Sequence, residues 1–241
     1  MSTAISPSFS RAAPGRKEPT AWGLPAAAWL IALLGAAAAA QDTVHIASPS
    51  STRGYAEWKG RVEDYTGREL VLRLPSGLDR SFPADQVLKI ETYYGEQQVE
   101  AERRFARGEF ESALALYGQA RQSETRRWVR RQITARMVWC YRAMGQWEKA
   151  GKDFLDVLLA DDPSTPYFAC IPLAWVRQEP SLTLQRSAQQ WLLRDQRPAA
   201  ALVGASHLLS TDHHSKALAR LRQLAAEPDQ RIAFLALAQI W

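Results

Sequence analysis

The strongest constraint on the fold is a change in the spacing of apolar residues near residue 93. Before this point, between residues 43 and 92, apolar residues alternate with polar ones, as in strands that bury one face. After it, they recur every three or four residues to the end of the chain, which is the period of an amphipathic α-helix. The sequence therefore predicts a mainly α protein whose helices follow a small all-β domain at residues 41–92.

Four or five short antiparallel strands are predicted in the β domain. The segment ELVLRL places Leu70 and Leu72 on one face of a strand, because successive side chains of a strand point to opposite sides. Glycine-containing segments at 64–68 and 74–79 provide turns between the strands.

The order of glycine, apolar and proline residues in this domain resembles that of small Sm-like or SH3-like barrels. The positions that carry the resemblance are Gly60, Val62, Gly67, Leu70, Leu72, Gly77, Phe82, Pro83, Val87 and Ile90. The resemblance implies a barrel-like domain used for interactions, including interactions with nucleic acid. Because the arginines of this segment are interleaved with acids, we expect a structural or protein-contact role and no specific binding of nucleic acid.

Eight helices are predicted from residue 93 onward. They are expected at residues 94–106, 110–123, 126–143, 147–160, 182–195, 198–209, 213–226 and 229–241. Helices joined in pairs by short turns are typical of antiparallel hairpin arrays. One connection, residues 164–181, is long and rich in proline and aromatic residues, and we expect it to pack on the helices.

Two segments of the helical region share one spacing of glycine, aromatic and small residues. GEFESALALYGQA at 108–120 is matched by GQWEKAGKDFLDV at 145–157. The paired positions are Gly108 and Gly145, Phe110 and Trp147, Ala113 and Ala150, Tyr117 and Phe154, and Ala120 and Val157. The glycine is expected to end one helix, the alanine to allow close helix contact, and the aromatics to fill the space beside it.

This spacing resembles the tetratricopeptide repeat (TPR), a helix-turn-helix unit. The resemblance covers two units in residues 93–163, and residues 182–241 would be further divergent hairpins or a cap. It implies a TPR-like solenoid of antiparallel hairpins whose concave groove binds protein or peptide. By register with that family, the groove residues are Gln98, Glu102, Phe105, Gln132, Trp139 and Arg142.

Residues 1–40 have the features of an export signal. Basic residues precede an apolar run at 21–40, and the small residues Ala38 and Ala40 stand before Gln41. Cleavage predicts an exported protein of the periplasm or cell envelope. The alternative is an uncleaved inner-membrane anchor at residues 21–40, and membrane contact is expected only through this segment if it is retained.

The net charge of +5 is too small to predict nucleic-acid binding by itself. A local basic patch is nevertheless predicted on one helix, from Arg126, Arg127, Arg130 and Arg131. The patch would dock an acidic partner, a polyanion or membrane headgroups. The alternative, which we favour, is a solvated face paired with acids such as Glu100, Glu102 and Glu111.

Cys140 and Cys170 are the only cysteines in the chain. An oxidising compartment would allow them to form a disulfide. Two buried free thiols are the alternative, because both cysteines stand among apolar residues.

No catalytic motif is recognised in the sequence, and no cofactor is predicted. The best metal candidate combines His207 with Asp212, His213 and His214. Adjacent histidines on a helix point about 100° apart, so a solvated helix start is favoured over a metal site.

The favoured function is an exported, non-enzymatic scaffold that binds protein or peptide. An envelope enzyme or enzyme subunit acting on cell-wall material, and a binder of an anionic polymer, are the alternatives. The apolar C-terminal helix, which ends at Trp241, is expected either to pack on the preceding helices or to mediate self-association.

Overall fold

The computed structural model describes residues 41–49, 53–176, 180–194 and 196–241. The predicted signal peptide or anchor, residues 1–40, lies outside these ranges. In the described part, a five-stranded antiparallel sheet is followed by a series of helices. None of the helices there combines the length and the apolar character needed to cross a bilayer.

The sheet has the strand order β4-β3-β2-β1-β5. Its strands are β1 (Asp42–Ala47), β2 (Tyr55–Tyr65), β3 (Glu69–Arg73), β4 (Asp79–Pro83) and β5 (Val87–Glu91). Alternate residues share a face, so Val62 lies opposite Leu72, and Leu70 lies opposite Phe82. All four side chains are buried.

The sheet is open, with β4 and β5 at its two edges. The prediction of a barrel-like domain is therefore wrong. The apolar face of the sheet is covered by side chains of the first helices, including Trp128 and Val129, which belong to the same core. Because helices bury this face, the sheet does not need to close on itself.

The helices are arranged so that most of them pack against the next one along the chain. They are α1 (Glu96–Ala106), α2 (Phe110–Ser123), α3 (Arg127–Ala143), α4 (Trp147–Lys152), α5 (Leu159–Asp161), α6 (Leu182–Leu192), α7 (Pro198–Leu208), α8 (His214–Leu224) and α9 (Gln230–Ile240). A π-helical segment, Asp153–Leu158, joins α4 to α5. Helix α7 packs against α6, α8 and α9 and is buried along most of its length, which explains its apolar composition.

The turns after α1 and α3 have the same backbone geometry. Gly108 and Gly145 adopt positive φ angles of 78° and 69°, a region that favours glycine. The matching hydrogen bonds run from Glu109 N to Arg104 O (3.0 Å) and from Gln146 N to Tyr141 O (2.8 Å). Such bonds close the end of a helix, so the two hairpins begin their second helix in the same way.

The match between the two hairpins ends at its last position. Ala120 is 5% exposed, whereas the paired Val157 is 42% exposed. The π-helical segment adds a residue to the turn that contains Val157, so the next residue, Leu158, enters the core instead.

Two hydrophobic cores lie in the described part of the chain. The first combines the sheet with α1, α2 and one side of α3, and the second combines the other side of α3 with the helices from α4 onward. Within α3, Val129 and Ile133 belong to the first core, while Val138 belongs to the second. The connector contributes Phe168 and Leu173 to the second core, which confirms that it packs on the helices.

Candidate binding face on α1 and α3

One arginine joins the predicted groove residues of α1 to those of α3. Arg136 Nε donates to Glu102 Oε1 at 3.0 Å, and the Arg136 guanidinium lies 5.2 Å from the ring centroid of Phe105. Gln132 lies one helical turn before Arg136, and Trp139 lies nearly one turn after it. We call the surface formed by Glu102, Phe105, Gln132, Arg136, Trp139 and Arg142 the α1–α3 face.

Arg136 was not among the predicted groove residues. Its position four residues after Gln132 and three before Trp139 is the signal that places it on the same side of the helix. Its role depends on α1, however, because Glu102 and Phe105 are about 30 residues away in the chain.

Trp139 and Arg142 form a stacked pair at the far end of this face. The Arg142 guanidinium lies 4.0 Å from the ring centroid of Trp139, within the range of an attractive cation–π contact. Trp139 is 36% exposed, so its indole is available to a partner on one side. Aromatic side chains held in this way often dominate the energy of protein interfaces.

Two predicted groove residues contribute less surface than the prediction required. Gln98 is 2% exposed and lies in the protein interior. Gln132 is half-buried, and its Oε1 accepts a hydrogen bond from the Tyr94 hydroxyl at 3.1 Å. Burial of Gln98 could not be read from its spacing, because the turn of chain before α1 folds back against α3.

Arg142 differs from the neighbouring arginines in its surroundings. Its Nε is buried without a hydrogen-bond partner in the described part of the chain, and its Nη1 donates to Ala169 O at 3.5 Å, the limit for such a bond. Burial lowers the pKa of Arg142, and the only titratable group that acts on it among the described residues is the Cys170 thiol.

Most arginines of the predicted basic patch form ion pairs within the protein. Arg126 pairs with Glu124 at 2.7 Å, and Arg127 Nε donates to Asp161 at 2.8 Å. Arg131 is 4% exposed, so it is not part of any surface patch. Arg127 and Arg130 are exposed, but Arg127 is paired with Asp161. Arg126, Arg127 and Arg131 pair with acids, but these acids are Glu124, Asp161, Asp64 and Asp162 rather than Glu100, Glu102 and Glu111.

Arg131 lies at the junction of the sheet and the helices. It pairs with Asp64 of β2, with Asp161 of α5 at 3.0 Å, and with the buried Asp162 at 3.5 Å. Its Nη1 also donates to Tyr65 O at 2.9 Å. This arrangement satisfies a buried charge with three carboxylates, so we assign Arg131 a structural role.

The predicted histidine cluster does not converge. His213 Nε2 contacts Gln189 at 2.5 Å, and His214 Nδ1 donates to Leu209 O at 2.7 Å. His207 is buried in α7, where its Nε2 donates to Pro172 O at 2.9 Å, and burial lowers its pKa to about 4. In the part of the chain that the structure describes, no three His, Cys, Asp or Glu side chains are placed to hold a metal ion.

Both cysteines are free and buried, rather than joined in the disulfide that was one alternative. Burial raises the pKa of Cys140 and of Cys170 to about 12, so both are neutral thiols near pH 7.

A cavity of about 320 Å³ lies between α4, the connector, α6 and α7. Two of its polar lining residues, Ser206 and His207, already have partners in the protein. Ser206 Oγ accepts from Ala174 N at 2.8 Å and donates to Gln239 Oε1 at 2.7 Å, and His207 is held by Pro172. These bonds attach the connector to α7, and they favour a structural function for this region.

Helix α9 packs on the preceding helices through Ile232 and Ala236, which are buried. Phe234, Leu237 and Trp241 form an exposed apolar stripe on its other side. Self-association through this stripe stays a prediction, which light scattering on the full chain would check.

Comparisons with protein-family models, with curated proteins and with solved structures gave no match to this chain.

Proposed function

We propose that this chain is a non-enzymatic scaffold that binds a protein or peptide segment on the α1–α3 face. The observation that carries the proposal is the contact of Arg136 with both Glu102 and Phe105. Through this contact, side chains of α1 and α3 form one continuous surface. That surface ends in an exposed indole, the kind of anchor on which peptide recognition commonly depends.

The proposal also includes the arrangement of the helices and the export of the chain. We infer that the hairpins form a TPR-like solenoid, with α1 and α3 as the groove helices. The identical turns at Gly108 and Gly145 support this inference. We also infer that residues 1–40 direct export, since their basic start, apolar run and small residues follow the pattern of a signal peptide.

Site-specific photo-crosslinking tests the binding face. A benzoylphenylalanine group would replace Phe105 or Trp139 in the full chain and, as a control, the exposed Leu78 of the β3–β4 turn. We expect discrete adducts with envelope proteins from the first two positions and none from Leu78. Equal labelling from all three positions would contradict the proposal.

A second test identifies the crosslinked partner, purifies it and measures its binding to variants of the chain. Trp139→Ala should weaken retention of the crosslinked partner about tenfold or more, because truncation of an aromatic anchor typically costs at least this factor. The control variant is Trp241→Ala, since Trp241 is exposed at the end of α9. Equal retention by both variants would show that Trp139 is not an anchor.

A further inference from the structure

We propose that the segment bound on the α1–α3 face is an acidic peptide, and that one of its side-chain carboxylates binds Arg142 where that residue stacks on Trp139. This inference rests on the proposed function of the face, and it names the chemistry of the partner.

The first argument is the charge balance of α3. Arg126, Arg127, Arg131 and Arg136 each have a carboxylate partner within the protein. Among the described residues, Arg130 and Arg142 have no such partner, but Arg130 is exposed and is not part of the α1–α3 face, whereas Arg142 is partly enclosed on that face. The α1–α3 face therefore carries one positive charge that the protein itself does not neutralise.

The second argument is the incomplete hydrogen bonding of that charge. The Arg142 Nε is buried and has no acceptor among the described residues, so a peptide carboxylate would bind the other guanidinium donors, and the bond from Nη1 to Ala169 O is long. A guanidinium in this condition gains more from an added acceptor than a fully hydrated one does. A carboxylate is the acceptor whose two oxygens match the fork of guanidinium donors.

The third argument is orientation. The guanidinium lies over the Trp139 ring at 4.0 Å from its centroid, and this contact limits the positions that its remaining donors can take. A carboxylate bound there would lie beside the exposed part of the indole. An apolar residue next to the acidic one could then cover Trp139.

A polyanion fits this face less well than an acidic peptide. Polyanion binding needs several free cations in a row, since affinity grows with the number of charges neutralised. Arg136, the nearest cation on the α1–α3 face, is already paired with Glu102. A single unneutralised guanidinium over the Trp139 ring suits one carboxylate flanked by apolar side chains.

Selection from a displayed library of random twelve-residue peptides tests the inference with the full chain as bait. We expect the selected peptides to contain several-fold more Asp and Glu than the input library. Selection on Arg142→Gln should lose this enrichment. The matched control is Arg80→Gln, because the Arg80 guanidinium also stacks on an indole, 3.8 Å from the Trp58 centroid, and this variant should keep the enrichment.

Affinity measurements on synthetic peptides with amidated C-termini then isolate the side-chain carboxylate. Replacing the selected Asp or Glu by its amide should weaken binding to the natural chain by about 10- to 100-fold, as expected for a charged hydrogen bond. The same replacement should have little effect on binding to Arg142→Gln. Arg142→Lys keeps the charge without the planar fork, so the loss of affinity on amide replacement should be intermediate for this variant. Near-ultraviolet circular dichroism would verify that each variant is folded.

The outcomes separate this inference from the proposed function. Peptides that bind through Trp139 without enrichment in acids would overturn the inference and leave the binding face intact. The absence of any Trp139-dependent peptide would overturn both. Arg142-dependent binding of an oligothymidylate probe instead of peptides would assign the face to anionic polymers and would also overturn the inference.

Discussion

The buried guanidinium of Arg131 in α3 pairs with the carboxylate of Asp64 in β2, and this contact connects the helices to the sheet. Asp161 and Asp162 approach the same guanidinium from the end of α5. Carboxylates from two segments that are about 100 residues apart in sequence thus meet at one guanidinium.

Arg131→Met should lower the free energy of unfolding by about 3–5 kcal/mol, because it leaves the buried Asp162 without its cation. Urea denaturation monitored by circular dichroism would measure this change. Arg130→Met is the control, since Arg130 is exposed on the same helix, and it should change stability by less than about 0.5 kcal/mol. Similar losses in the two variants would contradict the structural role of Arg131.

Gly67→Ala should destabilise the protein, because the added Cβ would lie 1.8 Å from the Ser164 carbonyl oxygen. We expect a loss of about 1–3 kcal/mol, at the upper end for a clash with backbone. The control is Gly118→Ala in α2, where the new Cβ would meet no atom within 4 Å among the described residues. Gly118→Ala should raise the free energy of unfolding by about 0.5–1 kcal/mol, because alanine has the higher helix propensity. Thermal unfolding should therefore show a lower melting temperature for Gly67→Ala and a higher one for Gly118→Ala.

Acidification should destabilise the protein through His207. Its folded pKa of about 4 is lower than its ordinary value of 6.5, because burial disfavours the charged ring. The unfolded chain therefore takes up a proton first, and stability falls as the pH drops from about 7 to about 4, by about 3 kcal/mol in total.

His207→Gln provides the comparison for this pH effect. The glutamine amide can donate to Pro172 O as the imidazole does, but it does not titrate. Urea unfolding of the variant should depend less steeply on pH between 7 and 4 than that of the natural chain. Equal slopes would mean that other groups account for the acid sensitivity.

Cys140 and Cys170 should react slowly with a thiol reagent in the folded protein, because both are buried and protonated near neutral pH. Ellman's reagent added to protein purified without reductant should detect both thiols after denaturation in guanidinium. Detection of no thiol under those conditions would show that a disulfide forms after all.

The order of elements could be predicted from sequence because it depends on local signals. Alternation around Leu70 and Leu72 predicted strands, and Gly108 and Gly145 predicted the ends of helices. The open sheet could not be predicted, since strand spacing does not reveal that helices, rather than further strands, cover its apolar face. The π-helical turn before Leu158 was also missed, because its composition is that of an ordinary helix.

The candidate site shows the same limit. Register with the TPR family placed Trp139 and Arg142 in one groove but did not predict that they stack, although a separation of three residues on a helix brings side chains together. The burial and pairing of Arg131, by contrast, depend on acids far away in the chain. Arg131 and Arg142 look alike in the sequence, but one is buried among three carboxylates while the other has none among the described residues.

The position of α3 between the two cores has a consequence for how the protein unfolds. Val129 contacts the sheet side and Val138 the side of the later helices, so neither core can be disassembled without exposing apolar surface of the other. We therefore expect the amide protons in the middle of α3 to exchange with solvent only when the whole folded unit opens. In that sense the sheet and the later helices share a single cooperative transition, although each has its own packed interior.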